Sequence, residues 1–354
     1  MYAILSDQHA HKWSQFATTD ADGVNSRLRF MLCEMERAAD ELLAARGKHM
    51  VFAGDLFHVR GSIDPEVFNP VWDTIVRILN RGVRIYAIPG NHDLSTRDTT
   101  VLGNAIQTLS RLENFHVITE PAATILSGMK VALVPWYSKI EDLKKALGQL
   151  MDDIETSDPV GLYDLVMHAG ISGVLPNLDH GLSAEEVAGW GFKRVFAGHY
   201  HNHKIMEDGK VVSIGALTHQ TFSDVGTKAG FLLVDNANVS YRASRAPSFV
   251  DIDPDTDEEE IPLRADGNFV RVRGFKLTDK EVNVMRQGLL DMGARGVTIQ
   301  VAREVSTARS TSTAKGMSLE ASVSDYVDKL GLADTTAIRQ GCEEILSHIR
   351  SVAT

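Results

Sequence analysis

Residues 50–58 read MVFAGDLFH, a short apolar run that stops at Gly54, presents Asp55 and reaches a histidine at position 58. Such a run, bounded by a turn residue, has the form of a buried strand that delivers a polar side chain from its carboxyl end. The same form returns as YAILSDQH at 2–9, RIYAIPGNHD at 84–93, DLVMH at 164–168 and VFAGHYH at 195–201. The strand candidates are Tyr2–Leu5, Met50–Ala53, Arg84–Ile88, Lys130–Val134, Leu165–Met167, Val195–Ala197, Val211–Ile214 and Phe231–Val234. Amphipathic stretches fill the intervals. In one of them Leu28, Met31, Leu32, Met35, Ala39, Leu42 and Leu43 share a stripe at three-and-four spacing, which packs a helix on a sheet and makes the methionines core. This alternation predicts an α/β fold to about Asp235.

In such a sheet the loops beyond the carboxyl ends of the strands meet at one crevice, so residues some 200 positions apart can share a site. Asp7 and His9, and likewise His199 and His201, are two apart. In extended chain each pair would project to one side. Counting donors across these motifs gives two carboxylates, one amide oxygen and four imidazoles, without a thiolate. That set suits two divalent ions of intermediate hardness, manganese first. Ions sharing a bridging carboxylate lower the pKa of a common water and clamp phosphoryl oxygens. Two such ions carry four positive charges and the two carboxylates cancel two, so the site attracts a phosphodiester. Each motif alone is more often a cap or a turn. Five in one order, each after a strand, argue against coincidence. His11, His49, His116, His180, His203, His219 and His348 fall outside the pattern and default to structural or solvated roles, with His203 near enough to reach substrate.

The bounds are consistent with this. A chain of 354 residues accommodates one large catalytic domain and small appendages. With 44% hydrophobic and 23% charged residues it reads as soluble and globular, and no apolar run reaches bilayer length. The opening MYAILSD lacks the features of a secretory signal, so a cytoplasmic location without membrane attachment is expected. Cys33 and Cys342 each lie in an apolar helical pattern and are expected as reduced core residues. The net charge of -11 argues against a free-standing, high-affinity DNA binder; bound cations and a partner would have to supply the grip.

Beyond Asp235 the acidic run DIDPDTDEEE, 251–260, reads as a solvated linker. Phe269–Arg273 and Val297–Val301 read as strands flanking a helix that opens on the capping box Thr278-Asp-Lys-Glu281 and stops near Gly293, a β-α-β module. Ser306–Lys315 reads as a flexible linker. Two helical stripes follow, Leu319, Val323, Tyr326, Val327 and Leu330, then Ile338, Cys342, Ile345, Leu346 and Ile349, with too little core to stand alone.

The ordered set Asp7-x-His9, Gly54-Asp55, Gly90-Asn91-His92-Asp93, His168 and Gly198-His199-x-His201 resembles the calcineurin-like metallophosphoesterase superfamily. The resemblance implies a four-layer α/β/β/α sandwich. It implies Asp7, His9, Asp55 and His201 on one metal, with Asp55 bridging to a second held by Asn91, His168 and His199. It also gives His92 the leaving oxygen, as stabiliser or general acid, with the shared hydroxide attacking in line.

Within that superfamily GDLFHVRG, 54–61, is similar to the SbcD or Mre-type double-strand-break repair nucleases, in which the histidine equivalent to His58 assists exonuclease cleavage. A structural role for His58, orienting His92, is the alternative. Val134-Pro135-Trp136, Ile214-Gly215, Phe222 and Gly230–Asp235 extend the resemblance. It implies a manganese-dependent 3′-to-5′ exonuclease and endonuclease acting on DNA in repair or recombination, a homodimer, and docking of an SbcC-type coiled-coil ATPase through the C-terminal helices. The expected domains are 1–245 (nuclease), 261–305 (a small α/β cap) and 316–354 (helical docking segment). A helix pair folded back on the cap is the alternative reading of the tail. Asp7-Gln-His9-Ala-His11 departs from the usual D-x-H-L-G, and the compact length points to a phage or minimal bacterial member. A phosphodiesterase of small nucleotides or lipids, and a scaffold with a vestigial metal site, are the rival expectations.

Overall fold

The computed structural model of the protein describes residues 1–96, 103–175, 181–301, 319–329 and 334–352. Its first strands are β1 (Tyr2–Leu5), β2 (His49–Ala53), β3 (Arg84–Ile88) and β4 (Phe115–Val117). After them come β5 (Ala122–Leu126), β6 (Met129–Val134), β7 (Tyr163–His168), β8 (Arg194–Gly198), β9 (Lys204–Met206) and β10 (Val211–Ser213). β11 (Gly230–Val234) and β12 (Val239–Ala243) return to the first sheet. Helices α1 (Ser26–Ala44), α2 (Pro65–Asn80), α3 (Ile140–Glu155) and α4 (Ala184–Gly189) lie between strands.

The strands form two six-stranded sheets, ordered β12-β11-β1-β2-β3-β4 and β5-β6-β7-β8-β10-β9. Both have parallel centres; the first is antiparallel on its β11–β12 side, the second at both edges. β1 shows why four layers result. Tyr2 and Ile4 point into a core shared with Val131, Val166 and Phe196 of the other sheet. Ala3 and Leu5 point oppositely, against Met31, Met35 and Leu42 of α1 and Ile75 of α2. A strand buried on both faces reads as a continuous apolar run, and each such side chain contributes roughly 1.5–3 kcal/mol. The second sheet is covered on its outer face by Leu143, Leu147 and Leu150 of α3 and Val187 of α4. The architecture is therefore the expected α/β/β/α sandwich.

α1 begins where Asn25 Oδ1 accepts from the backbone N–H groups of Arg27 and Leu28. Its stripe is buried from Leu28 to Leu42, with Leu43 partly so. Cys33 is not core as expected: it is exposed, because its position falls between Leu32 and the outward face. Cys342 is half-buried, and both thiols are free.

A third sheet, β13 (Phe249–Ile252), β14 (Phe269–Arg273) and β15 (Gly296–Gln300), is wholly parallel and carries α5 (Glu260–Ala265) and α6 (Asp279–Asp291). The capping box forms, with Thr278 N–H donating to Glu281 Oε2 at 2.8 Å. The acidic run is not the solvated linker its composition suggested. Asp251 and Ile252 lie in β13, and Asp251, 7% exposed, accepts from Arg271 Nε and Nη2 at 2.7 and 2.8 Å. A charge run folds into a sheet here because its first carboxylate has a guanidinium partner one strand away.

This sheet is fastened to the sandwich by aromatic rings around a buried cation. Phe16 stacks on Phe269, and the Arg27 guanidinium lies 4.7 Å from the Phe249 ring and 5.3 Å from that of Phe269. Arg27 is 6% exposed and donates to the carbonyls of Gln15 and Gln220, and burial lowers its pKa to about 10.

The helices α7 (Leu319–Lys329) and α8 (Thr336–Val352) form a separate unit, in which Arg339 donates to Ser324 and pairs with Asp328. Tyr326 and Ile345 are exposed. The expected linker 306–315, Leu330, His180 and the side chains of Leu319, Leu346, His348 and Ile349 lie outside the described residues. Among the described residues no helix is long and apolar enough to cross a membrane.

Candidate metal centre

The loops after β1, β2 and β3 of one sheet and after β8 of the other, which carry Asp7, His9, Asp55, Asn91, His92, His199 and His201, meet at one end of the sandwich with His168, the last residue of β7. Extended chain is not what aims these side chains. Asp7, His9 and Asp55 have φ of 50°, 46° and 56°, and His199 has 103°, conformations that side chains rarely adopt. Strain of this kind persists where neighbours over-determine it. Here Asp7 N–H donates to Gly54 O at 3.1 Å and His9 N–H to Asp55 O at 2.9 Å, which lays the first two loops side by side. The glycines of the G-D, G-N-H and G-H-x-H motifs serve the same close packing: a Cβ on Gly90 would stand 2.2 Å from Asp55 Oδ1.

Two carboxylate-bearing groups of donors converge, Asp7 with His9 and His201, and Asp55 with His168 and His199, beside an all-imidazole group of His9, His58 and His92, the atoms of each lying within 4.8 Å of one another. Asp55 Oδ2 links the first two, 3.5 Å from both His9 Nε2 and His168 Nε2. Asn91 Oδ1 joins the second group at 3.0 Å from His199 Nδ1 and 3.3 Å from His168 Nε2. The imidazole tautomers are set from behind. His168 Nδ1 donates to Ala53 O at 2.7 Å and His201 Nδ1 donates to Asp224 Oδ1 at 3.0 Å, which turns the Nε2 lone pair of each ring inward. Asp7 Oδ1 is buried without a hydrogen-bond partner. An orphaned carboxylate oxygen facing imidazole lone pairs fits a divalent cation in the first group, and the carboxylate, amide and imidazole donors of the second are of a kind that holds one too.

His58 and His92 form the wall beside these groups. Their rings stack at 5.3 Å, and His92 Nδ1 donates to the His58 carbonyl at 2.7 Å. His58 in turn lies against Trp13 at 4.6 Å and His11 at 5.1 Å. His11, which replaces the small residue expected after the first motif, thus packs on the wall. His203 does not reach the site: it is 7% exposed, bonded to Ser213 O and stacked on Tyr241.

Electrostatics separate the imidazoles. Burial would depress His168, but the charge and hydrogen bond of Asp55, with Asp7 behind, hold it up at about 9. Asp55 is held well below the carboxylate range because His168 and His9 outweigh the cost of its burial. Burial, then the His168 charge, takes His199 down to about 4. A cation held by His168 would have to displace its proton at pH 7.5, and its affinity would fall as pH drops below about 9. Calorimetric titration in two buffers of unlike ionisation enthalpy should show net proton release, from His168 and from His201, which the Asp224 hydrogen bond and nearby carboxylates also hold up. Uptake without release would place the ion away from His168.

Several residues of this site carry no motif. Asp224 reads in sequence as the end of the cap Thr221-Phe-Ser-Asp224, which it is, with its other oxygen on His201. Gln220 donates to Asp7 O at 3.0 Å and Ser6 Oγ to Asp7 Oδ2 at 2.6 Å. Asp93 looks like a ligand but turns away: it accepts from the N–H groups of Gly90, Phe57 and Leu56 at 2.9, 3.1 and 3.3 Å. Trp136 lies 4.9 Å from the His199 ring.

Comparison with known proteins places this geometry. The chain is 25% identical over 185 residues to exonuclease subunit 1 of Enterobacteria phage T4, a match covering 51% of each, so it spans about half the length of the curated relative it matches. Solved structures that align with it include a dimetal phosphatase from Danio rerio (TM-score 0.41, 8% identity, 68% of this chain and 95% of that one). Another is a 5′-nucleotidase precursor from Thermus thermophilus (TM-score 0.38, 13% identity, 69% of this chain and 53% of that one). Residues 2–203, which contain every clustered donor, match the calcineurin-like phosphoesterase family, and the chain belongs to that family.

Proposed function

We propose that the protein is a two-metal DNA nuclease of the SbcD or Mre type, a manganese-dependent 3′-to-5′ exonuclease and endonuclease subunit in repair or recombination. Asp7, His9, Asp55 and His201 hold one ion, and Asp55, Asn91, His168 and His199 the other. When bound, the ions supply an activated water and neutralise the phosphoryl oxygens. His92 works on the leaving oxygen. With Nδ1 committed to the His58 carbonyl, its Nε2 is the nitrogen that can take up and return a proton. His58 keeps the His92 ring in place by stacking. The likeness to a phage exonuclease subunit supports a nucleic acid, which we take to be DNA, over small diesters. Residues 1–245 serve as the nuclease domain, 261–305 as the β-α-β cap and 316–354 as the docking segment for an SbcC-type ATPase, in a homodimer.

The test is manganese-dependent cleavage of end-labelled double- and single-stranded DNA, with bis-p-nitrophenyl phosphate in parallel. The His92→Ala protein should retain its metals and lose about 10²- to 10⁴-fold in rate. Turnover of the small diester with DNA untouched, alone and with the ATPase added, would make the enzyme a small-molecule phosphodiesterase. Inactivity on both despite full metal content would leave a scaffold.

A further inference from the structure

The third sheet carries an open groove of about 820 Å³ that none of the metal-centre residues line. Its floor is Ile252, Phe275, Met285 and Leu289, from β13, the segment after β14, and α6. Val284 and Met292 form its lip and are 65% and 43% exposed, a large apolar investment at a solvent boundary. On another side Asp253, Pro254, Thr256 and Glu258 line it, from a turn, 253–259, that also holds Asp255, Asp257 and Glu259 and no basic residue; Asp253 pairs with Arg273. Among the described residues, Asp257, Glu258 and Glu259 enter no ion pair, and Lys280 is the one basic residue lining the groove.

The geometry points to a protein-docking site on this face, whose occupant is an amphipathic helix with an apolar side for the groove and lysine or arginine on its flanks. Charge decides among occupants. A nucleic acid is repelled by the carboxylate rim. A second copy would bring the same rim against itself, since a two-fold contact opposes like patches. A basic-flanked helix satisfies both features at once, apolar anchors in the groove and cations against unpaired carboxylates. The site is independent of the reaction at the metals.

The full chain would be titrated, by fluorescence anisotropy, into three labelled synthetic peptides. Two place leucines on one helical face, with lysine flanks or with glutamate flanks, and the third scrambles the lysine-flanked sequence. The lysine-flanked amphipathic peptide should bind at least about tenfold tighter than either control, and more weakly as salt is raised. Val284→Asp should weaken it about tenfold or more, as expected for loss of an anchor, while Ile125→Asp, an exposed apolar site on β5, should not. Glu258→Lys should narrow the preference between flanks. Equal binding of the scrambled peptide, or indifference to Val284→Asp, would overturn the assignment. So would sedimentation showing a dimer that Val284→Asp dissociates, which would make the occupant a second copy. Hydrolysis of a chromogenic diester should be unchanged in Val284→Asp, which shows that the variant is folded.

Discussion

The Gly54→Ala protein is expected to bind metal at least about 100-fold more weakly than the parent, the upper end of what loss of a ligand's support costs. A Cβ at this position would stand 2.1 Å from His168 Nδ1 and 2.5 Å from its Cγ. The ring has nowhere to go: His168 is fully buried and bonded to Ala53 O on that same nitrogen. Gly54 also has φ of 94°, where a side chain adds strain of its own. Ring, ligand nitrogen and the loop bearing Asp55 must therefore shift together. Gly82 is the matched control, since its φ of 85° carries the same backbone penalty but a Cβ there meets open space. Gly82→Ala should lower stability slightly and leave metal affinity alone. Isothermal titration with manganese reads both, and an unperturbed affinity in Gly54→Ala would remove His168 from the ligand set.

Asp93→Ala should be the most destabilising single change in these loops, at roughly 4 kcal/mol, because it strands buried N–H donors that each cost about 1–3 kcal/mol unpaired. Its carboxylate is fully buried and holds Gly90 of one loop to Leu56 and Phe57 of another. Asp93→Asn keeps one acceptor oxygen and should recover about half of the loss. Thermal unfolding of the metal-free proteins gives the ranking without a contribution from ion binding. An Asp93→Ala protein as stable as its parent would mean that water replaces the carboxylate and that the loops are joined by other means.

The strands that the sequence did not disclose share one property. β4, β5, β9, β12 and β13 are all edges of their sheets. An edge strand is paired on one side and covered on fewer, so it is short and mixed in polarity, as in KIM or VSYRA, and lacks the apolar run that announces YAIL. The misreading of 251–260 has the same origin, since the partner of Asp251 is a guanidinium twenty residues on. At the site, the motif residues lie together where their order placed them, although the extended geometry that seemed to explain their spacing is absent. Asp224, Gln220 and Ser6 stayed hidden because what they do is hold another residue, and a residue that only holds leaves no spacing of its own.

Arg27 gives the fold a mechanical property. Its guanidinium lies against rings at the root of the third sheet and donates to the Gln220 carbonyl, while the Gln220 side chain donates to Asp7 O and its N–H to Asp224 Oδ2. From the small sheet to Asp7 and to the carboxylate behind His201 there are thus two links, each of them buried. The small sheet cannot swing as a lid without pulling on Asp7 and on the carboxylate behind His201, and by reciprocity an ion held by these residues would brace its attachment. Stripping the metals should loosen this joint before it loosens either six-stranded sheet, so that the protein comes apart from its hinge outward.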